Sequence, residues 1–139
     1  MIRIDIPGPP TAKGRPRFAR ATGRAYTPAK TVNAEAHVKM IAAQAMAGAA
    51  PFDGPLTMRV VAALAIPGSW SQRKQRDAAE GRLRPTGRPD VDNFLKLYGD
   101  ALNGIVWRDD AQVVEAKVSK HYSKYPHTVV EIAPLVIDQ

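Results

Sequence analysis

The sequence contains no cysteine, which excludes a disulfide framework, a thiolate zinc site and a cysteine nucleophile together. Histidine is scarce, three in 139 residues, and no pair has the spacing of a ligand doublet. No apolar run approaches the ~20 residues of a membrane span, and Met1-Ile2-Arg3-Ile4-Asp5 lacks the charged-then-apolar order of a signal peptide. A cytoplasmic protein without a membrane partner is therefore expected. A Gly-x-x-x-x-Gly-Lys-Ser phosphate loop is also missing, which counts against nucleotide chemistry of that kind.

Acids are absent where bases are dense. Residues 11–30 carry Lys13, Arg15, Arg17, Arg20, Arg24 and Lys30 with no acid. Residues 67–88 carry Arg73, Lys74, Arg76, Arg82, Arg84 and Arg88 against only Asp77 and Glu80. With a formal net charge of +7, two such segments point to a polyanionic partner held by its phosphates. Phe18 and Tyr26, interleaved with the first set, suit base contacts as well.

Beyond the second of these segments lies an acidic centre. Asp90, Asp92, Asp100, Asp109, Asp110 and Glu115 place six of the 13 acids between Arg88 and Lys117. Val91, Phe94, Leu95, Tyr98, Ala101 and Leu102 recur at helical spacing, Asp92, Lys96 and Asp100 share another face, and Asn103-Gly104 supplies a stop. Two carboxylates about 4 Å apart repel by roughly 4 kcal/mol at an effective dielectric of 20, so a cluster needs a cation. Oxygen donors without sulfur or paired imidazole suit Mg²⁺, with Mn²⁺ as a substitute. Asp92 alone also suits a helix cap.

The remaining pattern predicts a single domain over residues 1–139. Ile2, Ile4 and Ile6 have strand alternation ended by Pro7-Gly8, and Thr11 to Tyr26 reads as a loop or irregular hairpin. Thr27-Pro28 signals a helix start, with Val32, Ala36, Met40, Ala43 and Ala47 as its apolar stripe up to about Gly48. Leu56 to Ile66 reads as a strand, Ser71 to Gly81 as a short charged helix, and Trp70 as a stacking residue or core anchor. A strand towards His121 and another over His127 to Ile132 are expected to form an antiparallel hairpin, with Pro134 to Gln139 as a tail. The fold class is α+β, a mixed sheet with two main helices packed on one face.

Pro89-Asp90-Val91-Asp92-Asn93-Phe94-Leu95-Lys96, then Asp100-Ala101-Leu102-Asn103-Gly104, then Trp107-Arg108-Asp109-Asp110-Ala111-Gln112-Val113 resembles the RusA family of Holliday junction resolvases. These are small Mg²⁺-dependent endodeoxyribonucleases common in phages and prophages. The resemblance implies a RusA-like fold in the cytoplasm of a bacterial host. It also implies Asp90, Asp92 and Asp110 as catalytic, metal-holding carboxylates, Lys96 as a supporting cation and Asp109 as a possible addition. The substrate would be branched DNA, the four-way junction, in recombination and repair. Lys13, Arg15, Arg17, Arg20, Arg24, Arg73, Lys74, Arg76 and Arg88 are the candidate DNA contacts, and a homodimer would supply one active site per cut strand. Two other readings share the composition: a metal-dependent phosphoryl or nucleotidyl transferase, and a non-catalytic DNA-binding module with structural acids.

Overall fold

The computed structural model describes residues 1–136. Alternation in the first residues becomes β1 (Ile2–Pro7), which buries Ile4 and Ile6 and exposes Arg3 and Asp5. The basic segment folds into a two-stranded antiparallel ribbon, β2 (Arg17–Phe18) and β3 (Ala25–Tyr26). Helix α1 (Ala29–Met46), strand β4 (Leu56–Ala65), helices α2 (Gln72–Ala79) and α3 (Val91–Leu102), and strands β5 (Val113–Ser123) and β6 (His127–Pro134) complete the order. The architecture is mixed α+β, with α1 and α3 packed on each other and on the sheet, and α2 as a third helix beside β5. Of the expected tail, residues 137–139 lie outside the described residues and Pro134 closes β6.

The main sheet has four strands in the order β1-β6-β4-β5. β4 pairs parallel with β5 and antiparallel with β6, so β5 and β6 flank β4 and do not form the expected hairpin. Burial explains the arrangement. β6 hides Thr128, Val129, Val130 and Ile132, the content of an interior strand, whereas β5 exposes Val114, Glu115 and Lys117, as an edge must. Register aligns Ile4, Val130, Val60 and Val118 in one row across the sheet, facing the helices. On the opposite face Arg3, Glu131, Arg59 and Lys117 form a polar row, with Arg59 and Glu131 paired at 3.8 Å.

Helix α3 follows its sequence pattern, burying Phe94, Leu97, Tyr98, Ala101 and Leu102. Helix α1 departs from its pattern. Its buried face is Thr31, Val38, Ala42 and Met46, while Val32 and Met40 of the expected stripe are 50% and 55% exposed. Alanine and methionine on nearly every side leave no clear periodicity to mark a face; Val38, Ala42 and Met46 join the core, and Thr31 on the same side accepts from Gly14 N at 3.0 Å. The helix begins one residue later than expected, at Ala29, with Pro28 at the cap position and no side-chain cap.

Candidate functional site

The site is built where the base of the basic loop crosses α3. Five bonds pin that base. Thr11 N donates to Tyr98 Oη (3.3 Å), Lys13 N to the Asn93 carbonyl (3.0 Å), Gly14 N to Thr31 Oγ1, and Lys13 Nζ to Asp100 and Glu35. Tyr98 Oη is itself buried against Thr128 Oγ1 at 2.9 Å, and burial pushes its phenol above the ordinary range. Gly14 is seated so closely that an added Cβ would lie 2.9 Å from Thr31 Oγ1.

This anchoring encloses a cavity of about 610 Å³ between the loop, the start of α1 and the start of α3. Arg15, Arg17, Lys30 and Arg88 line it together with Asp90 and Asn93. Asp90 occupies the cap position of α3, yet its side chain makes no capping bond. Asp92 sits in the first turn, exposed, with Lys96 Nζ 3.6 Å from its carboxylate. Asp92 is therefore not the cap residue.

The second acidic motif arrives from the other side. Asp109 caps the 3-10 turn Asp110–Gln112, accepting from Ala111 N at 2.9 Å, while the Gln112 side chain accepts from Asp109 N in return. Gln112 Nε2 also donates to the carbonyls of Phe52 and Gly54, which fixes the turn against the loop before β4. Asp110 is held differently. Its Oδ1 accepts from the indole N–H of buried Trp107 at 2.8 Å, and the residue borders a hollow of about 280 Å³ shared with Lys96, Leu95 and Asp100. Asp109 is extended and Asp110 already lies in the 3-10 turn, so the two neighbours take different backbone conformations and different partners. Lys96 thus touches Asp92 and shares the Asp110 hollow, so it stands between the two acidic motifs.

Among the described residues, no group of three or more His, Asp or Glu side chains is placed to hold an ion. The expected three-carboxylate centre is not assembled. What is present is Asp90, exposed and lining the cationic cavity, with Asp92 exposed two residues on and paired with Lys96. That donor set fits a hard cation of the Mg²⁺ class, which commonly takes one or two protein carboxylates and completes its shell with water and substrate phosphate.

The basic residues divide. Arg15, Arg17, Arg20 and Arg24 are exposed and have no ion-pair partner among the described residues. Lys13 is committed to Asp100 and Glu35, and the Asp100 hydrogen bond raises its pKa despite partial burial. On α2, Arg73 and Arg76 are exposed, and Lys74 Nζ lies 4.0 Å from the centre of the Trp70 ring, a cation–π contact. Tyr122 meets Trp70 edge-on at 5.2 Å, so this tryptophan joins α2 to β5.

Two contributors lie outside the motif residues read as functional. Trp107 orients Asp110, and a tryptophan three residues before an aspartate in a turn was the available signal. Lys120 Nζ donates to the carbonyls of Gly87 and Pro89, holding the chain just before Asp90. Main-chain acceptors leave no trace in sequence, so nothing in the pattern singles out Lys120.

The family Endodeoxyribonuclease RusA matches residues 7–133. The chain is also 39% identical over 135 residues to the uncharacterized protein YqaN of Bacillus subtilis (strain 168), covering 94% of each.

Proposed function

The chain belongs to the RusA family of endodeoxyribonucleases, and from that premise we propose that it hydrolyses a phosphodiester of branched DNA, the four-way junction, in recombination and repair. The observation that carries the proposal is the opening of Asp90 onto a cavity walled by Arg15, Arg17 and Arg88. Carboxylates alone repel a phosphate backbone, and arginines alone bind it without chemistry. Together they suit a site where a cation and a phosphate meet.

Asp90 and Asp92 are the residues that would hold Mg²⁺ or Mn²⁺. When bound, such an ion supplies Lewis acidity and eases deprotonation of the attacking water. Arg15, Arg17 and Arg88 fix the scissile phosphate by charge-assisted bonds. Lys96 offsets charge gathering on the phosphate as it becomes five-coordinate. Asp110, aimed by Trp107, is the third carboxylate, serving from the far side of Lys96. The exposed arginines of the ribbon and of α2 hold flanking backbone. A twofold homodimer would present one such site to each of two strands, matching the symmetry of the substrate.

The test is a labelled four-way junction incubated with protein and Mg²⁺, with EDTA and linear duplex as controls. Metal-dependent nicking near the branch is expected, lost in Asp90→Asn. Tight binding without nicking under either divalent ion would leave a DNA-binding module and overturn the hydrolase reading.

A further inference from the structure

Phe18 is 73% exposed at the end of β2, on a ribbon that contributes nothing to the core. A single exposed apolar side chain is ordinarily unremarkable. The setting of this one is specific. Its cross-strand partner is Ala25, too small to cover a ring. Arg17 precedes it, and Arg20 and Arg24 stand in the turn, where Ala19 N donates to the Arg24 carbonyl at 2.9 Å and Gly23 N to the Ala19 carbonyl at 2.8 Å. Gly23 takes a φ of 65°, the left-handed conformation that closes so short a turn. None of these arginines has an ion-pair partner among the described residues. Below the ribbon, the loop is fastened to α1 and α3 by the bonds at residues 11–14, so the aromatic ring is presented from a fixed base beside Asp90.

A cationic ribbon is drawn to phosphates on any DNA. A flat ring at its edge gains more only where the face of a base is bare. Within continuous duplex every base face is covered by its neighbours, and a bare face appears where stacking is interrupted, at a branch point or an end. We infer that Phe18 stacks on the base pair exposed at the branch point and is the residue by which this chain distinguishes a junction from continuous duplex. The inference rests on the nuclease reading and adds a specificity-determining contact to it.

Stacking of one base on an aromatic side chain is worth enough for alanine to cost about tenfold in affinity. The test compares wild type, Phe18→Ala and Phe18→Trp on a four-way junction and on a relaxed, covalently closed circular duplex, which has no terminus to offer a bare base face. The Ala variant should bind the junction about tenfold more weakly, with its salt dependence unchanged and with less than about a twofold change on the closed duplex. The Trp variant should restore the preference. A 2-aminopurine at the branch should be quenched by wild type and by the Trp variant, but not by the Ala variant. Equal losses on both DNAs, or a junction preference that survives Phe18→Ala, overturns the inference while leaving Mg²⁺-dependent nicking as the separate measure of the nuclease reading. A wild type that binds both DNAs alike also overturns it.

Discussion

The ammonium of Lys120 on β5 donates to the carbonyl oxygen of Pro89 at 3.1 Å, tying the edge of the sheet to the residue just before Asp90. A second bond to the Gly87 carbonyl, and one from Arg84 Nε to the Lys120 carbonyl at 2.6 Å, lace the same loop to the same point of the strand. Lys120→Met should loosen residues 87–90 with little change in the core. Mn²⁺ binding, followed by electron paramagnetic resonance, should weaken about tenfold, the effect of losing an outer-shell partner. Unchanged affinity would show that Asp90 keeps its place without the clamp.

Lys13 and Arg17 are both basic and adjacent to the cavity, yet they should answer differently to salt. Arg17→Ala is expected to reduce the slope of log affinity against log salt by about one, as for any lost phosphate contact. Lys13→Met should leave the slope within half a unit and lower stability instead, because its charge is spent on Asp100 and Glu35. The sign with pH follows from its raised pKa. The stabilisation is complete below the ordinary value of 10.5 and is lost as pH rises above it.

His121 titrates in the other direction. Burial, and then the charges of Arg84 and Arg59, hold its pKa below the ordinary 6.5. The folded state therefore resists the proton that the unfolded chain accepts, so this contribution is intact above 6.5 and is lost as pH falls below it. Urea midpoints measured between about pH 5 and 7.5 should fall less steeply on the acid side in His121→Gln than in wild type.

Gly14→Ala places a methyl 2.9 Å from Thr31 Oγ1 and 3.2 Å from Pro28 Cγ. Overpacking of this kind costs about 1–3 kcal/mol, and the loop base would have to lift from α1 to relieve it. Calorimetry should show the loss of stability, and junction affinity should fall with it.

Asp109 and Asp110 should separate cleanly. Asp109→Ala removes a cap worth about 1 kcal/mol and should lower the melting temperature while cleavage persists at low temperature. Asp110→Asn retains an acceptor for Trp107 and should fold normally, with single-turnover cleavage reduced at least a hundredfold. Equal behaviour of the two variants would remove the distinction between cap and site.

Legibility in the sequence tracked how local each determinant was. Helix α3, its stop at Asn103 and the pairing of Asp92 with Lys96 are set within a few residues, and the pattern displayed them. The α1 face was not legible, because alanine gives every side similar hydrophobicity and the polar contact on the buried side, Gly14 N to Thr31 Oγ1, spans 17 residues. Strand order was not legible either, since β5 and β6 are neighbours in sequence but meet across β4. The acidic residues were visible as a group, whereas the separation of Asp110 from Asp90 depends on a tryptophan bond and a 3-10 turn.

The position of β6 between β1 and β4 has a consequence for synthesis. Ile2 must wait for Ile132, and Met58 for the same residue, so neither β1 nor β4 has its full set of partners until the last strand emerges from the ribosome. Pairings this distant form slowly and leave apolar strand edges open meanwhile. The arginine loop and the acidic helix are translated well before that moment, but Tyr98 cannot bury its hydroxyl against Thr128 until β6 arrives. Completion of the sheet thus acts as a timer: a nascent or prematurely terminated chain carries the arginine loop and the acidic helix without the scaffold that aligns them.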